Sequence, residues 1–373
     1  MQIGKVNFGK MDKKLLTVVL VLLCIGIIMV YSSSWPYALD INQQPYHFAF
    51  RQAFFAFIGL IAMFVASLID YKLYNRWAIV IYSMAMVLCL LLFTPLGKSY
   101  DTFARRWIEV AGLSFMPSDL MKIASIVLLS SFLSRKKHTK NDFKTGFLIV
   151  IFIIAMSALP VYLQPNLSTT LTIIASLGGV YILSGMDLRY LLIAVPVIPI
   201  FGYLFLYGEK NAYRVDRLKV LLNPLLDFHD KGWQLSQALF AVSSGGFFGL
   251  GLGKSRQKYL YLSESHNDFI FAIIAEELGF LGSIIIIILF LLFIKFGFDI
   301  ASRTRDEFGK LLASGITLVI GFQALVNMGV AFGVLPPTGL VLPFVSYGGT
   351  SLIVTLGMVG ILLNISRANV KKR

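Results

Sequence analysis

The sequence predicts an all-α polytopic membrane protein of about ten transmembrane helices, with both termini in the cytoplasm and a large extracellular loop between helices 7 and 8. Three observations predict it. The 373-residue chain is 57% hydrophobic and only 14% charged, with a mean hydropathy of +0.78, unlike any soluble domain. Its apolar residues fall in runs of roughly 20, the length of helix that crosses a bilayer core. Its basic residues cluster in alternate connections, as the positive-inside rule requires of the cytoplasmic side.

The runs lie near 14–34, 50–69, 77–95, 118–134, 145–163, 167–185, 189–207, 268–295, 309–333 and 346–366. In lipid the backbone must satisfy its own hydrogen bonds, so these are read as helices and not strands. Lys5, Lys10, Lys13 and Lys14 precede the first run like the flank of a signal peptide. No small-residue cleavage site follows, and further runs do, so this span is read as an uncleaved anchor. Lys72 and Arg76 follow the second run and "RKKHTK" (135–140) the fourth. Arg303, Arg305 and Lys310 lie between the eighth and ninth, and Arg367 and "KKR" (371–373) come after the last. Alternation puts all of these on one side. Orientation therefore explains the net charge of +14, and no nucleic acid is invoked. Cys24 and Cys89 lie inside apolar runs and suggest neither a disulfide framework nor a metal site.

The chain reads as one transmembrane domain, 1–373, without a soluble module or a clear internal repeat. Its one long connection, about 208–267, falls outside the cytoplasm. Within it "KGWQLSQALFAVSSGGFFG" has helical apolar spacing (Leu235, Leu239, Phe240, Val242), which predicts an amphipathic helix on the membrane surface. "GLGLGKS" (249–255) ends like a phosphate-binding loop, but Phe248 stands where that motif needs glycine. Nor do Gly249, Gly251 and Gly253 make G-x-G-x-x-G, because Lys254 fills the final place; tight turns and close packing are their expected roles. His47, His138, His229 and His266 stand in no nucleophile signature.

Polar residues at the outer ends of the runs carry the chemistry, because an ionisable group inside a bilayer costs at least ~2.5–3.5 kcal/mol. Asp119 and Lys122 open the fourth run, three residues apart and so on one helix face. Local chemistry favours a helix cap at Ser118 or Asp119 and a snorkelling Lys122. The functional reading is a cation, held by an acid, that faces an anionic substrate. In "LPVYLQPNLSTT" (159–170), Pro165 and Asn166 make a turn and a helix start. In "GVLPPTGLVLPFVSYGGTS" (333–351) three prolines forbid a continuous helix in an apolar segment, which predicts a re-entrant loop buried in protein. Asp268 can cap the eighth span, or serve as a general base at the rim of a polar cavity. Glu276 and Glu277 lie two turns deeper and must face protein or water.

"RRWIEVAGLSFMPSDLMKIA", "QPNLSTT", "GWQLSQALFAVSSGGFFGLGLGKSRQKYLYLSESHNDFIFAIIAEELG" and "GVLPPTGLVLPFVSYGGTSL" together resemble, in order, the four signature regions of the SEDS family (shape, elongation, division and sporulation). The resemblance covers nearly the whole chain. "GLGLGKSRQKYLYL" and "GILLNISR" are more similar to its FtsW and SpoVE division and sporulation branch than to its RodA elongation branch. The resemblance implies a ten-span peptidoglycan glycosyltransferase. It would polymerise lipid II outside the bacterial cytoplasmic membrane, at the division septum, with a class B penicillin-binding protein and other division or sporulation membrane proteins as partners. The family's essential Asp, in "DFIFA", matches Asp268. Its "QPSE…K" pattern matches Met116, Pro117, Ser118, Asp119 and Lys122, with Met for Gln and Asp for Glu. Its "QPDLGT" matches 164–169, with Asn166 for Asp and Ser168 for Gly, and its "LPE" stands here as Leu262, Ser263 and Glu264. Asp119 keeps its charge on a shorter arm, whereas Asn166 loses one.

An inverting transfer needs a base for the attacking hydroxyl and a means of stabilising the departing pyrophosphate. Asp268 is the expected base. Lys122, Arg106, Lys254 and Arg256 are the expected phosphate contacts, with Asp119 and Asn166 beside them. A divalent cation (Mg or Mn) would suit the pyrophosphate, but no ligand cluster demands one. Two other classes stay open: a lipid II flippase, and a non-enzymatic scaffold for the transpeptidase. A flippase needs a polar path through the membrane, whereas these polar residues cluster at the outer ends.

Overall fold

The computed structural model describes residues 11–98, 105–110, 113–135, 142–187, 189–190, 220–221 and 232–368, and these are mostly helical. α1 (Lys13–Asp40), α2 (His47–Leu68), the short α3 (Tyr71–Arg76) and α4 (Ala78–Leu91) come first. After a small sheet come α5 (Pro117–Arg135) and a π-helical turn, Phe143–Phe147, that runs directly into α6 (Leu148–Leu163). α7 (Leu167–Leu183), α8 (Trp233–Ser244), α9 (Ile270–Arg303), α10 (Glu307–Ala331) and α11 (Gly349–Ala368) complete the order.

Among the described residues, seven helical stretches are long and apolar enough to cross a membrane: α1, α2, α5, the π turn with α6, α9, α10 and α11. α4 and α7 are apolar but shorter. Each coincides with a predicted run. The seventh run, near 189–207, lies outside the described residues beyond its first two, as do the basic segments 136–140 and 371–373 and most of 208–231.

Asp12, Asp70 and Asp306 cap α1, α3 and α10, each accepting backbone N–H bonds of the first turn. The basic connections meet at one end of the bundle. There Ser366 Oγ accepts from the Asp12 N–H (3.2 Å), and Asn364 accepts from the Tyr71 N–H (2.9 Å) while donating to the Ser67 carbonyl (2.9 Å). Arg135 donates to the Asn75 carbonyl (2.8 Å), and Tyr71 stacks on Phe308. α2 and α11 approach through small residues, as packing in lipid favours. A β-carbon on Gly360 would lie 2.3 Å from the Met63 carbonyl oxygen.

Three expectations change. The chain is not purely helical: β1 (Gly97–Lys98), β2 (Trp107–Val110) and β3 (Leu113–Phe115) form an antiparallel sheet in that order. Ile108 pairs with Gly97 on one side and Phe115 on the other. The sheet sits in a connection between apolar runs, where strands need not span lipid. Second, the expected amphipathic helix forms as α8, but the face that packs on α9 and α10 is Leu235, Ala238 and Ala241, while Phe240 of the expected stripe is exposed.

Third, α9 is broken. Gly279 has φ +67° and ψ −162°, and the bonds that Glu276 and Glu277 carbonyls would accept within a helix go elsewhere. They accept from the Leu250 and Gly251 N–H groups (2.9 and 3.0 Å), while the Phe280 and Leu281 N–H groups donate to the Gly246 and Phe247 carbonyls (2.9 and 3.2 Å). Loop 245–251 is thus laced into the gap, and these four opened backbone groups are paired with it. Only glycine permits the approach: β-carbons on Gly249 and Gly279 would lie 2.1 Å from the Glu277 carbonyl oxygen and 2.3 Å from the Gly249 nitrogen.

Candidate active site

The segment 333–348 between α10 and α11 contains no helix, as its prolines predict, and Leu340, Leu342, Phe344 and Val345 are buried. α1 meets it backbone to backbone at Gly26, where a β-carbon would lie 2.4 Å from the Phe344 carbonyl oxygen. Non-helical backbone at this depth needs partners. Buried amides supply them. Gln52 on α2 donates to the Ser346 carbonyl (3.0 Å). Gln323 on α10 donates to the Val341 carbonyl (2.9 Å), and Asn327, one turn on, to the Leu340 carbonyl (2.7 Å). The Tyr347 N–H donates to the His266 carbonyl (2.9 Å) and the Leu342 N–H to Ser346 Oγ (2.7 Å).

Asp268 stands at this segment. Phe269, not Asp268, holds the N-cap position of α9, and the cap residue makes no side-chain hydrogen bond. The Asp268 carbonyl accepts from Asn327 Nδ2 (2.8 Å). Its Oδ2 lies 3.6 Å from where a β-carbon on Gly339 would be, which places the carboxylate beside that glycine.

Asp119 and Lys122 open α5, and both are buried, at 1% and 3% exposure. Lys122 Nζ lies 2.8 Å from Asp119 Oδ1 and donates to Gln323 Oε1 (3.0 Å). The contact with Asp119 is an ion pair without hydrogen-bond alignment: neither Asp119 oxygen, nor Ser118 Oγ, has a hydrogen-bond partner. The cap and snorkel readings both fail here, since neither residue caps α5 and the ammonium does not reach water. The pair and Asp268 are joined, through Gln323 and Asn327, to the adjacent residues Val341 and Leu340.

Arg106, just before β2, donates to the Pro165 carbonyl. That carbonyl adjoins Asn166, which caps α7 by accepting from the Thr169 N–H (3.3 Å). Arg106 and Asn166 therefore belong to one corner, where Asn166 plays the helix-start role its turn predicts.

Lys254 and Arg256 are exposed. The lysine that this loop buries is Lys258, at 1% exposure, which the sequence does not single out. Its ammonium donates to Glu277 Oε1 (2.9 Å) and Ser32 Oγ (3.4 Å) and lies 5.6 Å from the Trp35 ring centre. Glu277 also accepts from Ser32 Oγ (2.5 Å) and the Ser255 N–H (3.3 Å). Glu276 accepts from Ser255 Oγ and from the Arg256 N–H (2.8 Å). The two deep acids face protein, as expected, and clamp loop 255–258 to α9 and α1.

His266 is buried among Tyr37, Phe48 and Tyr347, with ring centres 5.4, 4.7 and 5.7 Å away. Burial pushes its pKa down to about 4, so the ring is neutral at pH 7. Among the described residues no three His, Cys, Asp or Glu side chains gather as metal ligands. Asp119 is already met by a lysine. Among the described residues this donor set does not fit a resident divalent cation. The residues missed by sequence reasoning are Gln52, Gln323, Asn327 and Lys258. A signal existed for the three amides, which are strong hydrogen-bonding groups inside or beside apolar runs.

The profile of the cell cycle proteins FtsW, RodA and SpoVE matches residues 13–371. The chain is 37% identical over 355 residues to a probable peptidoglycan glycosyltransferase FtsW of Geobacter sp. (strain M18), covering 95% of this chain and 96% of that one. It is 38% identical over 356 residues to the stage V sporulation protein E of Bacillus subtilis (strain 168), covering 95% and 97%. Its fold is similar to a chain from a peptidoglycan synthase complex that coordinates polymerization and crosslinking, with a TM-score of 0.81 at 24% identity over 97% of this chain and 99% of that one. It is also similar to the rod shape determining protein RodA of Thermus thermophilus, with a TM-score of 0.70 at 24% identity over 96% and 97%.

Proposed function

Because the chain belongs to the FtsW, RodA and SpoVE family of cell cycle proteins, we propose that it is a peptidoglycan glycosyltransferase that polymerises lipid II in division or sporulation. In this reading ten spans place both termini in the cytoplasm and the Asp268 region on the outer face, with the septum as the working location and a class B penicillin-binding protein as partner. The fold shared with a synthase complex supports that partner.

One observation carries the chemistry: the backbone carbonyl of Asp268 and the ammonium of buried Lys122 are linked, through Asn327 and Gln323, to adjacent residues of the same non-helical segment. Asp268 takes the proton of the attacking sugar 4-hydroxyl. The new bond forms between that oxygen and the anomeric carbon as the bond to pyrophosphate breaks, which inverts the α-linked donor to a β-linked product. The pyrophosphate leaves with the electron pair, and Lys122 offsets its charge. An ammonium has three donors. Lys122 spends one on Gln323 and turns another toward Asp119, so a donor remains for a phosphate oxygen. Arg106, Lys254, Arg256 and Asn166 are assigned supporting substrate contacts at the rim.

The test is lipid II polymerisation by the purified protein with its cognate transpeptidase, comparing the parent with Asp268→Ala and Asp268→Asn. Glycan strands from the parent alone support the assignment. Parent-like strands from both variants reject Asp268 as the base. No strands from any of them, in a folded and partner-bound complex, would move the reading to a flippase or a scaffold.

A further inference from the structure

Gln323 and Asn327 lie four residues apart on α10 and therefore on one face. Each makes two polar contacts, and in each case one partner belongs to the candidate site and the other to the 340–341 backbone. Gln323 accepts from Lys122 Nζ (3.0 Å) and donates to the Val341 carbonyl (2.9 Å). Asn327 donates to the Asp268 carbonyl (2.8 Å) and to the Leu340 carbonyl (2.7 Å). The orientation of each amide is dictated by its partners. An ammonium only donates, so the Gln323 oxygen must face it, and two carbonyls only accept, so the Asn327 nitrogen must face both. Both side chains are buried, at 4% and 1% exposure, so water cannot readily replace them. The Asn327 oxygen has no hydrogen-bond partner.

We propose that Gln323 and Asn327 are positioning residues of the transfer reaction: Asn327 fixes the base Asp268, Gln323 fixes the phosphate-facing Lys122, and one helix face sets the distance between them. The proposal rests on the assignment of Asp268 and Lys122 above. It makes the two amides unequal in their kinetic effect. Freeing Asp268 misplaces the group that acts in the transition state, which lowers kcat. Freeing Lys122 weakens a contact made in both ground and transition states, which raises KM. A substitution that merely loosened the bundle would reduce the amount of folded complex without dividing its effects in this way.

The experiment measures polymerisation against lipid II concentration and against pH, in the complex with the transpeptidase, for the parent, Asn327→Ala, Asn327→Asp, Gln323→Leu and Asp268→Ala. The amount of folded complex is normalised by size-exclusion chromatography. Expected are a drop in kcat of at least tenfold for Asn327→Ala with KM within twofold, and a rise in KM of at least fivefold for Gln323→Leu. Asn327→Asp keeps the shape of the side chain, but a buried acid facing two carbonyls is held neutral and has one donor where the amide has two. It should lose part of the kcat and leave the acid limb of the pH profile in place. Equal changes in kcat and KM for both amides, or a parent-like kcat for folded Asn327→Ala, would overturn the proposal. Failure of the underlying assignment reads differently: Asp268→Ala would then retain polymerisation, whatever the amide variants do.

Discussion

Among the described residues two lysine–carboxylate pairs are buried, and they are built in opposite ways. Lys258 and Glu277 are both fully enclosed, and each has further partners in Ser32, Ser255 or the Trp35 ring. Lys122 and Asp119 are nearly as buried, yet both Asp119 oxygens lack a hydrogen bond and the pair is poorly aligned. A buried charge costs several kcal/mol unless paired and hydrogen-bonded. The first pair meets that requirement with protein alone and acts as a clamp. The second leaves it half met: the oxygens of Asp119 keep acceptor capacity for a further donor. Burial and charge do not tell the two apart; the number of satisfied lone pairs does.

Breaking the clamp should have the largest effect. Glu277→Ala leaves Lys258 unpaired together with Ser32 and the Ser255 N–H, and should cost about 3–5 kcal/mol. Thermal unfolding in detergent reads it. Replacing both partners, Lys258→Met with Glu277→Leu, should recover little of the loss, because the backbone donor of Ser255 stays orphaned. The same operation on the other pair should come out the other way round. Lys122→Met with Asp119→Leu should hold stability within about 1 kcal/mol of the parent. It should nevertheless raise the KM for lipid II by roughly an order of magnitude or more, because a phosphate contact made in both ground and transition states is lost.

A smaller effect concerns the loop that joins the clamp to the site. His266 has its folded pKa depressed to about 4 from an ordinary 6.5. Below pH 6.5 the unfolded chain binds a proton that the folded ring refuses. Stability from this group is therefore complete above pH 6.5 and falls as pH drops toward 4, by at most about 3 kcal/mol. Melting curves between pH 7 and 4.5 should show the loss in the parent and not in His266→Phe. The smallest effect tests a corner that is neither clamp nor site centre. Asn166→Ala should cost about 1 kcal/mol as a lost cap, and Asn166→Asp should gain a few tenths. Both can be read as shifts in melting temperature.

The spans were legible because roughly 20 apolar residues have one stable outcome in lipid. Asp268 and Lys122 were legible as charges at the ends of such runs. The break at Gly279 was not, since "EELGFLGSII" continues its apolar pattern through the gap and the partner loop lies some 30 residues earlier. The sheet escaped because strands of two to four residues leave hardly any period to read. Lys258 sits in "RQKYLYL", where a lysine normally faces water, and only the fold shows that Glu277 and Trp35 enclose it. The amides Gln323 and Asn327 carry no charge and so raised no alarm, although they hold the two charged residues in place.

The lacing of loop 245–251 through the gap at Gly279 bears on how the chain is made. A ribosome delivers Lys258 before Glu277, and Gly246 before Phe280. Helix α9 thus enters the bilayer with two carboxylates and an interrupted hydrogen-bond ladder, after the segment that satisfies both has already emerged. Biogenesis of this helix is then a docking event onto a waiting template, and not the free partitioning of an apolar rod into lipid.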